Sequence, residues 1–197
     1  MSLSTRMVVV LTAIGLLSGS FLSIVGTVTQ ERIRLNRIRE IERAVLLVVP
    51  AASTSQTLYE ENNLAVHLAK KEDGEAAGYG LQAAGPGFQD KITVIIGTNL
   101  DLTRITSLTI IEQKETPGLG AKITDKMAFL RYWESRDCSR QLKLRKPPVE
   151  DPAALSPDEV NAITGATISS QSVLNIVNTA LARARQLQTE GKFTFGK

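Results

Sequence analysis

From Met7 to Val28 the chain reads MVVVLTAIGLLSGSFLSIVGTV, 22 residues without a charge. As a helix at ~1.5 Å per residue, such a run reaches about 33 Å, close to the ~30 Å hydrocarbon core of a bilayer. Gly15, Gly19 and Gly26 do not argue against a helix there, because a backbone in lipid has to satisfy its own hydrogen bonds. Gly15, Ser18, Gly19 and Ser20 are either tolerated or form a small-residue face of the kind that lets membrane helices approach. A cleaved signal peptide would have a shorter apolar stretch, ~7–15 residues, followed by a small-x-small site. This stretch is longer and no Ala-x-Ala follows, so it is read as an uncleaved anchor.

Beyond the anchor the pattern turns amphipathic. Ile33, Leu35, Ile38, Ile41, Val45 and Leu46 recur at roughly helical steps, which predicts a continuation of the helix or a second short one, ending before Pro50. Residues 51–57 are small and polar and read as a linker. Leu64 to Ala69 alternates large and small residues, a half-buried strand with His67 on its small-residue face. His67 therefore reads as structural or exposed, not as a ligand or base. Further strands are predicted at Gly78–Ala84, Lys91–Thr98 and Arg104–Gln113, separated by turns at KEDG, Gly85-Pro86-Gly87 and Asn99–Asp101. Short strands and tight turns predict an antiparallel meander.

Thr124-Asp125 predicts a cap for a helix from Lys126 to Ser135. Residues 136–160 read as loop, with a short strand near Gln141–Leu144. Val173, Ile176, Val177, Ala180, Leu181, Ala184 and Leu187 form one apolar stripe, with Asn175, Asn178, Arg183, Arg185 and Gln186 facing away. The expected fold class is α+β: an antiparallel meander sheet with packed helices, preceded by one N-terminal transmembrane helix. The expected divisions are a tail (1–6), the anchor (7–28), an amphipathic segment and linker (29–57), the folded domain (58–191) and a tail (192–197).

Composition narrows the chemistry. One cysteine, Cys138, excludes an internal disulfide framework and a cysteine-ligated iron–sulfur cluster. One histidine, His67, argues against an ordinary zinc site. Any redox chemistry would have to be carried by an organic cofactor. The net charge is only +3, although Arg32, Arg34, Arg37, Arg39 and Arg43 form one basic run and Arg131, Arg136, Arg140, Lys143, Arg145 and Lys146 a second. Neither run interleaves with aromatics, which make up 5% of the chain, so no nucleic-acid partner is expected. The five arginines after the anchor, against Arg6 alone before it, would by charge bias place the C-terminal bulk in the cytoplasm.

Two segments could carry a ligand. In Glu115-Thr116-Pro117-Gly118-Leu119-Gly120, Pro117 and Gly118 suit the centre of a type II turn. Gly118 and Gly120 would let a flat or anionic group approach the backbone. The second, Asn161 to Ser170 (NAITGATISS), leads into the terminal helix, whose N-terminus offers free N–H groups and a partial positive charge. Thr164, Thr167, Ser169 and Ser170 supply hydroxyls beside the small residues Gly165 and Ala166. A phosphate site and a plain helix cap both remain open on these residues alone.

ETPGLG followed downstream by NAITGATISS before a terminal helix, with the anchor and the strand pair ahead of them, resembles the FMN-binding domain family over nearly the whole chain. Within it, the RnfG (or RsxG) proteins of Rnf-type electron-transport complexes are the first choice. The NqrC proteins of the sodium-pumping NADH:quinone oxidoreductase are the second. The resemblance implies that Thr167 carries FMN through a phosphoester, attached from FAD by a separate Mg-dependent flavin transferase. Thr164, Gly165, Ala166, Ser169 and Ser170 would surround the attachment point. Glu115, Thr116, Gly118, Leu119 and Gly120 would lie near the isoalloxazine ring. The family pattern opens on Asp where this chain has Asn161. The resemblance further implies electron relay within a membrane complex that moves electrons between ferredoxin and NAD and translocates Na⁺ or H⁺, with the other proteins of that complex as partners. It places the protein in the bacterial inner membrane as a single-pass protein with residues 58–191, the FMN-binding domain, on the periplasmic side, against the arginine count. The rivals are a non-redox membrane-anchored binding module, and a domain that binds flavin reversibly.

Overall fold

The computed structural model describes residues 2–193. The chain divides into two compact units, one ending at Glu40 and the other beginning at Ile41. The first is helical from Leu3 onward. Helix α1 runs from Leu3 to Val48, so the anchor and the amphipathic segment form one element. The helix stops where Pro50 could no longer donate a backbone hydrogen bond. Over the uncharged stretch its large side chains are exposed on every side, and nothing lies within 4 Å of where a Cβ would stand on Gly15, Gly19 or Gly26. By length and composition this helix can cross a membrane.

The second unit is built on a five-stranded antiparallel sheet in chain order: β1 (Thr54–Glu61), β2 (Leu64–Lys70), β3 (Ala76–Pro86), β4 (Lys91–Thr98) and β5 (Ile105–Glu112). The register aligns Val66 with Leu81, Leu81 with Ile96, and Ile96 with Leu108, one apolar row across four strands. Helix α2 (Thr167–Thr189) joins this face in one core through Val173, Val177, Leu181, Ala184 and Leu187. Each large side chain so buried stabilises the fold by roughly 1.5–3 kcal/mol.

The other face of the sheet is covered by the end of α1. Ala44, Val45, Val48 and Val49 cluster with Ala69 and Ile95. The fit is close because β3 and β4 present glycines there: a Cβ on Gly80 would stand 2.8 Å from the methyls of Val45, and one on Gly97 would strike the Val48 carbonyl. Thr106 Oγ1 donates to that carbonyl at 2.5 Å.

Several expectations need correction. Residues 51–57, expected as a linker, belong to the unit that begins at Ile41, and β1 begins at Thr54. TSQTLYEE shows no clear alternation because β1 is a largely exposed edge strand, held by its antiparallel ladder to β2. No α-helix spans 126–135. Asp125 Oδ1 accepts from the Met127 and Ala128 N–H groups, but only a 3₁₀ turn at Leu130–Trp133 follows. That tight turn buries Phe129 and Trp133 edge to face, with ring centroids 5.7 Å apart. The short strand near Gln141–Leu144 is β6 (Lys143–Arg145), and it pairs in parallel with an unpredicted β7 (Glu159–Asn161).

Asn178, Arg183 and Arg185 do not face away. Asn178 clamps the Leu142 backbone from both sides, at 3.0 Å each way. Arg183 pairs in two-pronged fashion with Glu61, and Arg185 donates to the Leu102 and Cys138 carbonyls. Phe193, expected in a tail, is buried against Tyr79. The rest of that tail, 194–197, and Met1 of the N-terminal tail lie outside the described residues.

Candidate functional site

Three segments distant in sequence meet at one end of the sheet: the β3–β4 turn (87–90), the loop after β5 (115–120) and the first turn of α2. Glu115 joins them. Its side chain is buried, and Oε1 accepts from the N–H groups of Phe88 (2.8 Å) and Gln89 (3.1 Å). Oε2 accepts from the Ser169 hydroxyl at 2.5 Å. Glycines make room for the carboxylate. A Cβ on Gly87 would collide with Oε1, and one on Gly120 would lie 2.8 Å from Oε2 and 2.7 Å from Ser169 Oγ. Pro117-Gly118 forms the expected turn: Gly118 has φ +76°, and Leu119 N–H donates to the Thr116 carbonyl at 3.2 Å.

Helix α2 begins after Ala166, which is non-helical (φ −134°, ψ 36°), and no side chain caps it. Its first N–H groups, with the partial positive charge of a helix N-terminus, are left for another acceptor. The four hydroxyls of the segment differ in what they do. Ser170 Oγ accepts from Ile163 N–H (3.0 Å) and donates to the Ala166 carbonyl (2.9 Å), fastening the loop to the helix. Ser169 is committed to Glu115. Thr164 is exposed and outside the cleft. Thr167 is half-buried and lines the cleft, and its hydroxyl makes no hydrogen bond among the described residues. Gly165 adopts φ +80°, which lets the chain turn tightly into Thr167.

The cleft has a volume of ≈ 340 Å³. Of the residues expected at the site, it brings together Glu115, Thr116, Leu119, Gly120, Gly165, Ala166, Thr167 and Ser169. Gly118, Thr164 and Ser170 do not line it. Phe88 and Ile168 complete the wall and were missed. The only signal for Phe88 was its place after the Gly-Pro-Gly break; Ile168 was hidden within a motif read for its hydroxyls. The rim is apolar: Phe88 is 59% exposed, Leu119 51% and Ile168 60%. Such a concentration at one mouth favours a flat apolar group over the cleft. Asn161, where the family pattern has Asp, is buried away from the cleft. It accepts from Val149 N–H (3.1 Å) and donates to the Val149 carbonyl (2.6 Å). A carboxylate could meet only the first of these.

Cys138 is in the core, where burial pushes its thiol pKa up and keeps it protonated. His67 lies on the sheet, with Nδ1 3.0 Å from Thr57 Oγ1. Among the described residues no group of three His, Cys, Asp or Glu could hold a metal ion. The second basic run is mostly spent on local ties: Arg131 to the Glu150 carbonyl, Arg136 to those of Pro152 and Ser156, Lys143 to Asp158 and Arg145 to Glu159. What the site offers is a free hydroxyl at an uncapped helix N-terminus beneath an apolar rim.

Residues 87–182 match the FMN-binding domain family. The chain is 28% identical over 184 residues to the G subunit of the ion-translocating oxidoreductase complex of Methanosarcina acetivorans, covering 90% of this chain and 92% of that protein. It is 30% identical over 168 residues to the G subunit of the Na⁺-translocating ferredoxin:NAD⁺ oxidoreductase complex of Acetobacterium woodii, covering 79% and 77%. The crystal structure of NqrC from Shewanella oneidensis shares the fold, with a TM-score of 0.54 at 20% identity over 68% of this chain and 67% of that one.

Proposed function

Because the chain belongs to the RnfG family, the G subunits of ion-translocating oxidoreductase complexes, and carries an FMN-binding domain, we propose that it is a membrane-anchored flavoprotein with FMN bound covalently to Thr167. In this reading the protein relays electrons inside an Rnf-type complex that couples ferredoxin and NAD chemistry to Na⁺ or H⁺ movement. The observation that carries it is Thr167, the one hydroxyl of its segment that lines the cleft without a partner among the described residues.

When bound, FMN supplies the electron-carrying chemistry, and the chain's residues hold and surround it. The first N–H groups of α2 would receive the phosphate. Phe88, Leu119 and Ile168 would pack on the ring, and Gly120 and Gly165 would keep side chains out of its way. Attachment needs FAD and a flavin transferase. In such an attachment the Thr167 hydroxyl would take the place of AMP on the FMN phosphorus of FAD, with AMP and the hydroxyl proton released. In this reading the transferase supplies whatever base the step needs.

The same proposal sets the protein in the inner membrane with its flavin domain on the periplasmic side and the other proteins of the complex as partners. It rests on the family resemblance, since the arginines at 32–43 favour the opposite orientation. The test is the intact mass of the protein produced with its flavin transferase. The wild type is expected to gain the mass of one FMN less water, and Thr167→Ala to gain none. An unmodified wild type in the presence of active transferase would overturn the covalent reading.

A further inference from the structure

We propose that Glu115 is an anionic positioning residue of the flavin site, assembling the cleft wall from three segments and setting the flavin's reduction potential by its charge. The inference rests on the reading of the cleft as the FMN site. It starts from an oddity of burial. Glu115 is only 4% exposed, and among the described residues no lysine or arginine is hydrogen-bonded to its carboxylate. A lone buried charge is costly, and a fold that only needed a tie here could use neutral groups.

The chain instead provides three donors for the carboxylate: two backbone N–H groups of the β3–β4 turn and the Ser169 hydroxyl. Gly87 and Gly120 leave the space that its two oxygens occupy. Both partner segments carry parts of the cleft wall, Phe88 on the turn and Thr167 two residues before Ser169. Glu115 also lines the cleft itself, so its charge lies beside whatever occupies it. Reduction adds negative charge to a flavin, and a fixed anion close by in a partly dry site opposes that. Glu115 therefore lowers the potential, and Ser169 moderates the effect by donating to the carboxylate.

Two variants separate charge from shape. Glu115→Gln keeps the shape, because the amide can accept from Phe88 and Gln89 and donate to Ser169 Oγ. Ser169→Ala keeps the charge but removes one donor from it. Both are made with flavin transferase, and the flavin potential is measured by spectroelectrochemical titration beside the intact mass. Amide hydrogen exchange of Phe88 and Gln89 in flavin-free protein reports whether the turn is still tied down.

The expected result in Glu115→Gln is a potential moved to more positive values, with near-wild-type exchange at Phe88 and Gln89. Ser169→Ala is expected to move the potential the opposite way. A brace that acts by shape alone would leave the potential of Glu115→Gln at the wild-type value. That result, or shifts of the same sign in both variants, overturns the inference while leaving the covalent flavin intact. Should Glu115→Gln fail to fold, Ser169→Ala still decides, since an unchanged or more positive potential there contradicts the proposal. A wild type that carries no flavin under the same conditions sinks the reading of the site, and this inference falls with it.

Discussion

The front of α1 and the whole of α2 are both helices dense in Leu, Ile and Val, and they treat those side chains in opposite ways. On α2 Val173, Val177, Leu181, Ala184 and Leu187 are buried along one stripe. On α1 Leu11, Leu16, Leu17, Phe21 and Leu22 are exposed around the helix. A stripe suits a sheet, which offers one apolar face. An all-round apolar surface suits lipid, which surrounds the helix. The last turns of α1 change sides in this comparison: Ala44, Val45 and Val48 are buried like those of α2 and close the second face of the sheet.

Equivalent damage to the two helices breaks the comparison most sharply. Val177→Asp places a charge in the core and is expected to cost more than about 4 kcal/mol, enough to abolish the cooperative thermal transition of the domain. Leu17→Asp is expected to leave that transition unchanged and to release the protein from membranes, since a charge at the centre of a spanning helix costs ~3 kcal/mol. Circular dichroism melts and membrane fractionation check the pair.

Truncation tests where the boundary falls, with a smaller effect. A chain starting at Ile38 should melt close to the full-length protein in detergent. A chain starting at Val49 loses Val45 and Val48, both fully buried, and should be destabilised by roughly 3 kcal/mol or more in urea titrations. Equal stability of the two chains would place the end of α1 outside the folded unit.

The smallest effect concerns the face of the sheet that carries His67. Burial holds this imidazole below its ordinary pKa, against weaker opposing pulls from Gln82 and then Glu60. The unfolded chain therefore takes up the proton first as pH falls. Stability is full above about pH 6.5 and declines below it, by at most ~1.4 kcal/mol per pH unit. Glu61, which Arg183 holds below the ordinary carboxylate range, contributes fully above the unfolded carboxylate value of ~4.5 and loses that contribution as pH falls from there to its own lowered value. A stability series between pH 5 and 7.5 thus isolates His67, and His67→Asn should flatten it.

Much of the fold and site was legible. Alternation in LAVHLAK and the dense apolar run KITVIIGT predict strands, but the half-buried reading of the first was wrong: both strands are buried on both faces, because α2 covers one side of the sheet and the end of α1 the other. Thr54–Glu61 was missed because an edge strand has little to bury and takes its order from a neighbour. The helix expected at 126–135 failed because Phe129 and Trp133 both had to reach the core, and a tight turn meets that need. At the site, both motifs were visible as loops with small residues and hydroxyls. Their hydroxyls looked alike in one dimension; only the partners of Ser169 and Ser170 distinguish them from Thr167.

The sequence by itself determined the apolar spanning run, the meander strands, the amphipathic final helix and the two segments that form the cleft. Each of these is a local pattern with a fixed period or a turn residue that admits few conformations. Tertiary structure alone decided that the end of α1 belongs to the domain, that Phe88 joins the cleft, and that Glu115 turns inward to bind Ser169. Those outcomes depend on which surfaces meet across the sheet, where Gly80, Gly87, Gly97 and Gly120 leave space that no neighbouring residue in the chain reveals.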